Sequence, residues 1–335
     1  MKFLAVALAI ASAVIVSSGS AEERSLFLVE RKIPLGEVRG RIDHLAIDLN
    51  RGRLFVAELE NDTVAVIDLN THKVMQVISG LKKPQGLGYH LPTDSLYVAH
   101  GGDGTLAIFA GDNYRPVARI QLGADADNVR VDESGNHVFV AYGNGALAII
   151  DPISRTKISD VALKAHPESF QIDLGTNRIF LNDPTNASVV VVDLAARTQV
   201  SAWPTGNSSN FPMALNKRAG HVVVAFRAPA KLGAFSMRDG TSVANVDLCS
   251  DADDMFVDAR RQRVYVSCGE GFINVFDARD ETYRRIGRVT TVAGARTSLF
   301  VTELDVIFVA ARATSTEPAT LWVLRPNATS EESIP

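Results

Sequence analysis

The chain repeats itself, and the period decides what it can fold into. An aromatic or β-branched residue at the centre of a short apolar run recurs as Phe55, Tyr97, Phe139, Phe180, Val223, Tyr265 and Phe308, at steps of 42, 42, 41, 43, 42 and 43 residues. The stretch from Cys249 to Asp277, CSDADDMFVDARRQRVYVSCGEGFINVFD, shows what one copy contains. Met255 to Val257 reads as a strand, Asp258 to Gln262 as a polar turn, and Arg263 to Ser267 as a second strand. Gly269 to Gly271 reads as a tight turn and Phe272 to Phe276 as a third strand. Seven copies of three or four short strands predict an all-β, seven-bladed propeller. The last copy supplies only three strands: Ser298 to Val301, Val306 to Ala310 and Thr320 to Leu324. A spare strand, SLFLVERKIPL from Ser25 to Leu35, stands at the front of the chain. It is expected to complete the last blade and so remove the open edge of the sheet.

Seven equal repeats leave no room for a second domain in 335 residues, and with 46% apolar and 21% charged residues the chain can bury a large core. Residues 22–325 are read as the propeller and 326–335 as a polar, flexible tail. Two Trp in the whole chain exclude a propeller that buries a Trp in each blade. Residues 1–21 carry one basic residue, Lys2, an apolar run from Phe3 to Val16, and small residues with Gly19 and Ala21 before the cleavage point. This reads as a secretory signal peptide, so a periplasmic or secreted protein is expected, with no membrane span. Removing Lys2 takes the net charge from −4 to −5. A mildly acidic chain has no clustered basic surface for a phosphate backbone, which argues against nucleic-acid partners. The sequons at Asn61, Asn186, Asn207 and Asn327 read as turn residues rather than glycosylation sites.

The first full copy, Leu54 to Leu87, reads LFVAELENDTVAVIDLNTHKVMQVISGLKKPQGL. It carries a Phe-Val pair, a turn, a V-x-V-I-D strand, a T-x-K-V turn and Pro-x-Gly leading into the next blade. Leu96 to Ala99 and Arg263 to Ser267 repeat the first part; Ala148 to Asp151 and Val190 to Asp193 repeat the second. The pattern resembles the YVTN repeat of the bacterial YncE-like seven-bladed propellers over nearly the whole mature chain. The resemblance implies the fold and no single activity, because propellers serve as binding modules, lactone hydrolases, lyases and scaffolds alike. Single-stranded DNA binding, which the resemblance implies for some members, conflicts with the acidic charge here.

In such a ring the first strand of each blade lines the central channel, and the loop leading into it opens on one face together with the turn between strands two and three. Site residues should then recur twelve residues before the repeat marker: Asp43, Gln85, Asp127, Glu168, Phe211, Asp253 and Arg296. Four of these seven are carboxylates, where composition predicts about one. The adjoining positions are His44, Gly86, Asn128, Ser169, Pro212, Asp254 and Thr297, with Arg41, Lys83, Asp125, His166 and Asp251 just outside. A second enriched set, Asp48, His90, Asp132, Asp173, Asn216 and Asp258, lies seven residues before the marker, where hairpin-turn chemistry accounts for it. The mouth carboxylates can likewise cap loops or pair with Arg41, Lys83 and Arg296.

The functional alternative is a polar or cationic ligand, or a divalent cation such as calcium held by Asp43, Asp127, Glu168 and Asp253. No other cofactor is implied. A three-histidine site from His44, His100 and His166 is the remaining metal option. G-x-S-x-G, H-E-x-x-H, C-x-x-C, phosphate-loop and EF-hand patterns are absent from the sequence. The reading is therefore an exported monomeric binding or scaffold protein recognising a small molecule or protein partner through Asp43, His44, Gln85, Asp127, Asn128, Glu168, Asp253, Asp254 and Arg296. The alternative is a metal-dependent hydrolase of a lactone-like or ester substrate. Cys249 and Cys268 follow strands that end on the same face, so they are expected to form a disulfide in an exported protein.

Overall fold

The computed structural model describes residues 26–132 and 136–327. The expected signal peptide and all but the first two residues of the expected tail lie outside them. Seven four-stranded antiparallel sheets surround a common axis, and each consecutive group of four strands is one blade. The innermost strands are β2 (Leu45–Asp48), β6 (Pro84–His90), β10 (Ala126–Asp132), β14 (Phe170–Asp173), β18 (Ser208–Asn216), β22 (Ala252–Asp258) and β26 (Ser298–Val301). The seventh blade is closed from both ends of the chain. β1 (Phe27–Gly36) pairs antiparallel with β28 (Ala319–Pro326), in the order β1-β28-β27-β26, where β27 is Val306–Ala311. The ring therefore leaves no blade one strand short, as the spare N-terminal segment predicts. β28 also takes in Pro326, the first residue assigned to the tail.

Why the repeat marker is aromatic or β-branched follows from its place. It sits mid-way along each second strand, covered on both faces by neighbouring blades, and at none of the seven positions is it more than 2% exposed. Second and third strands read as unbroken apolar runs for the same reason, as in Val64-Ala65-Val66-Ile67 of β4 (Thr63–Asp68). Outer strands face water on one side, and β5 (Lys73–Ile78) alternates exposed and half-buried residues accordingly. The set seven residues before the marker caps the hairpins between first and second strands. Asp48 accepts from the amides of Asn50 and Arg51, and Asp258 from those of Arg260 and Arg261, at 3.0 to 3.2 Å.

Cys249 and Cys268 form a disulfide with their Cα atoms 5.9 Å apart. It ties the segment after β21 (Ser242–Asp247) to the end of β23 (Arg263–Cys268). The amides of Gly269 and Glu270 donate to the carbonyls of Asp251 and Ser250, so the loop leading into β22 is also hydrogen-bonded to the turn beyond Cys268.

Candidate functional site

The channel mouth is built by a backbone device repeated around the ring. In four blades the first strand slips register at its mouth end: between Pro84 and Leu87, Ala126 and Val129, Asn210 and Met213, and Ala252 and Asp254. A bulge leaves residues outside the ladder and re-aims their side chains. The residues so released are Gln85-Gly86, Asp127-Asn128, Phe211-Pro212 and Asp253, which are the positions that the repeat marks as candidates. Just before each slip the chain turns through a left-handed residue, Lys83 (φ 50°), Asp125 (φ 40°), Ser209 (φ 58°) or Asp251 (φ 58°). Gly86 has no room for a side chain: a Cβ there would lie 1.8 Å from the Asp127 carbonyl oxygen of the next blade.

Most carboxylates at the mouth have partners. Asp43 accepts from Arg41 Nη2 at 2.9 Å and stands 3.7 Å from His44 Nε2. The other nitrogen of His44 is 3.4 Å from Asp254 Oδ1, although the seventh blade lies between theirs, so these side chains meet across the channel. Asp254 also accepts from the Ser298 amide at 2.7 Å. Asp253 is clamped by Arg296 Nε at 2.9 Å and by Arg227 Nη2, and Arg296 reaches on to Asp251 at 2.6 Å. Arg227, at the end of β19 (His221–Ala228), stacks 3.8 Å over Phe211. Gln85 donates to Asp125 at 3.2 Å.

Asp127 and Glu168 differ, since neither side chain has a hydrogen bond or an ion pair with another described residue. They stand together with His166: a carboxylate oxygen of each and a ring nitrogen of His166 all lie within 4.8 Å of one another. His166 Nδ1 is 2.5 Å from the Gly143 carbonyl, which can only accept, so Nδ1 carries a proton and Nε2 is the ring nitrogen left for another partner. Asn128, beside Asp127 in the same bulge, is 2% exposed, and its Oδ1 has no hydrogen-bond partner.

The electrostatics follow this division. Burial pushes the Asp127 carboxyl well above the usual range; Asp43, Glu168 and Asp125 add to the shift and His44 opposes it. Burial also raises Glu168, against His166, and Asp253, against Arg296 and Arg227. For His44, burial works against the charged ring, but Asp254, Asp43 and Asp127 outweigh it and bring its pKa up to about 10. At neutral pH the mouth therefore holds a His44 imidazolium between Asp43 and Asp254 and, further round the ring, two carboxyl groups with no ion pair among the described residues.

The structure thus assembles the sequence candidates into one mouth but does not give them one role. Asp127 and Glu168 group with His166, whereas Asp43 and Asp253 carry guanidinium partners. Arg296 acts as a clamp on Asp251 and Asp253. The three-histidine combination does not form: His100 is fully buried in its own blade, 2.9 Å from Thr105 Oγ1, with burial lowering its pKa to about 4. Arg227 escaped the sequence reading. It lies four residues after the repeat marker, where Gly101, Gly143 and Gly269 stand in other blades, and that departure was the available signal. A groove of about 780 Å³ lies on the opposite face along the closure seam. Leu28, Val29, Leu49 and Leu304 line it, and its Glu30, Arg51 and Arg325 are already ion-paired.

No family model matches the chain. No curated protein matches it either. Among solved structures it is similar to the hydrazine synthase of Kuenenia stuttgartiensis, with a TM-score of 0.72 over 80% of this chain and 91% of that one, at 15% identity. A likeness at that identity shows the propeller fold and nothing about activity. No helix among the described residues is long and apolar enough to cross a membrane.

Proposed function

We propose that this seven-bladed propeller is an exported binding or scaffold protein of the YVTN-repeat type. Its site is the channel mouth, and its ligand or partner presents positive charge to Asp127 and Glu168. One observation carries the reading: in a mouth where Asp43, Asp251, Asp253 and Asp254 all have partners, these two half-buried carboxylates have no hydrogen bond or ion pair among the described residues. Holding unpaired carboxylates together and partly out of water is unfavourable, and a cation supplied from outside relieves it. Arg227, stacked on Phe211, and Arg296, both held by Asp253, offer further polar contacts to the rest of such a ligand.

The test is a thermal-shift series with divalent cations, spermidine and basic peptides on the wild-type protein and on an Asp127→Asn/Glu168→Gln variant. At least one cationic class should raise the wild-type melting temperature, and the variant should lose that response while melting no lower than wild type without ligand. A series that moves neither protein, or moves both equally, refutes the reading. The hydrolase alternative needs one thing more, an ion with an open coordination position next to a general base.

A further inference from the structure

We propose that Asp127, His166 and Glu168 form a binding site for one divalent first-row transition ion, with zinc as the probe. The inference rests on the mouth reading above and names the cation. The donor set selects the class of ion. A calcium site gathers about six to eight oxygen ligands. Here an imidazole joins two carboxylates, a mixed nitrogen and oxygen set that suits zinc, manganese or iron better than a purely hard ion.

The second argument is how His166 is held. Its Nδ1–H donates to the Gly143 carbonyl, which leaves Nε2 as the ligand nitrogen and fixes the ring, the arrangement that metal-bound histidines commonly show. Gly143 is itself anchored: its amide donates to the carbonyls of Ala124 (2.8 Å) and Asp125 (3.1 Å), in the loop that delivers Asp127. One loop of the third blade therefore positions both Asp127 and the imidazole contributed by the fourth. The third argument is Asn128 Oδ1, a buried acceptor without a donor on the same bulge. A water bound to the ion would donate to such an acceptor. Ligand atoms within 4.8 Å of one another need to close by up to about 1.4 Å to share a tetrahedral ion with bonds of about 2.1 Å, which side-chain rotation can supply. Three protein ligands leave a coordination position open to the channel, where a ligand's carbonyl or carboxylate would bind.

The experiment uses untagged mature protein stripped with EDTA and dialysed, titrated with Zn2+ by calorimetry, with Ca2+ in parallel. Wild type is expected to bind one equivalent of Zn2+, with a dissociation constant in the micromolar range or tighter, and Ca2+ more weakly. His166→Gln and Glu168→Gln should each weaken zinc binding by about 10-fold or more, and His72→Asn, on the opposite face, should leave it unchanged. Should the variants fail to fold, Co2+ added to the wild type gives an independent readout, a visible d–d band of a nitrogen and oxygen site. Absence of saturable zinc binding, undiminished binding in His166→Gln, tighter calcium than zinc, or no cobalt band would each overturn the inference. If zinc fails while spermidine or a basic peptide still binds through Asp127 and Glu168, the metal assignment falls and the mouth reading stands.

Discussion

Removing the N-terminal strand puts ring closure to a direct test. A chain that begins at Glu37 lacks β1 and its eight backbone pairings with β28, from Phe27↔Pro326 to Gly36↔Ala319. Three side chains leave the core with it: Phe27, Ile33 and Leu35, at 3%, 1% and 4% exposure. Burying a side chain of this kind stabilises by about 1.5–3 kcal/mol, so the three together account for about 5–9 kcal/mol. The edge-on contact of Phe27 with Tyr265, ring centroids 5.1 Å apart, adds about 1 kcal/mol. The ion pair of Glu30 with Arg325 is largely solvated and adds little. A whole domain is stable by only about 5–15 kcal/mol, so the loss approaches the total. It also leaves β28 as a bare edge beside Leu321 and Leu324, which the intact ring buries completely.

The assay is urea unfolding followed by the fluorescence of Trp322 in a Trp203→Phe background, since the chain holds these two Trp. This residue pairs with Lys32 across the seam and carries the Lys32 ammonium 3.7 Å from its ring centroid, so it reports the closure itself. The truncated chain should lose its single sharp transition, and a synthetic peptide spanning Leu26 to Gly36 should restore it by strand addition. A truncated chain with the midpoint and slope of the full protein would refute the closure argument, because the core residues of β1 would then contribute nothing.

Two further outcomes follow from particular contacts. Replacing both Cys249 and Cys268 by Ser opens a loop with a sequence separation of 19 and should cost about 3 kcal/mol on the chain-entropy model. Thiol titration of denatured, unreduced protein should find no free thiol, and two per chain would sink the pairing. For pH, the signs at the mouth agree. Asp127, Glu168 and Asp253 have raised folded pKa values, so the stability that they contribute is present at low pH and is lost as pH rises through those values. His44, raised to about 10, adds stability that is complete below its unfolded value near 6.5 and is lost as pH climbs towards 10. Metal-free protein should therefore melt progressively lower from about pH 6 to pH 10, and His44→Gln should flatten the upper part of that slope. A flat wild-type profile would count against the buried imidazolium. Below about pH 4 the trend reverses, as Asp94, Asp277 and Asp305 lose the charge by which Arg51, Arg279 and Arg261 hold them.

What the sequence disclosed and what it withheld divide along one physical line. Everything fixed within a single repeat was legible: the buried marker, the Asp that caps a hairpin, the tight glycine turns, and the face on which Cys249 and Cys268 both emerge. Each of these is set by neighbours a few residues away, and a period of about 42 residues displays it seven times. The missing seventh-blade strand was legible for the same reason, as a gap in a count. The roles of the mouth residues were not, because they depend on which blade stands beside or across from which. His44 meets Asp254 only when the ring closes, and Arg227 meets Asp253 only because the fifth blade carries Arg where three others carry Gly. Enrichment of carboxylates twelve residues before the marker thus located the mouth, yet it treated Asp43, Asp127, Glu168 and Asp253 as equivalent. The guanidinium partners, which no repeat pattern encodes, make them unequal: Arg41 engages Asp43, Arg227 and Arg296 engage Asp253, and among the described residues none pairs with Asp127 or Glu168. Since the repeat supplies much the same sheet in every blade, the proposed selectivity of the mouth rests on where blades depart from the repeat, and those departures include Arg227, Arg296 and His166.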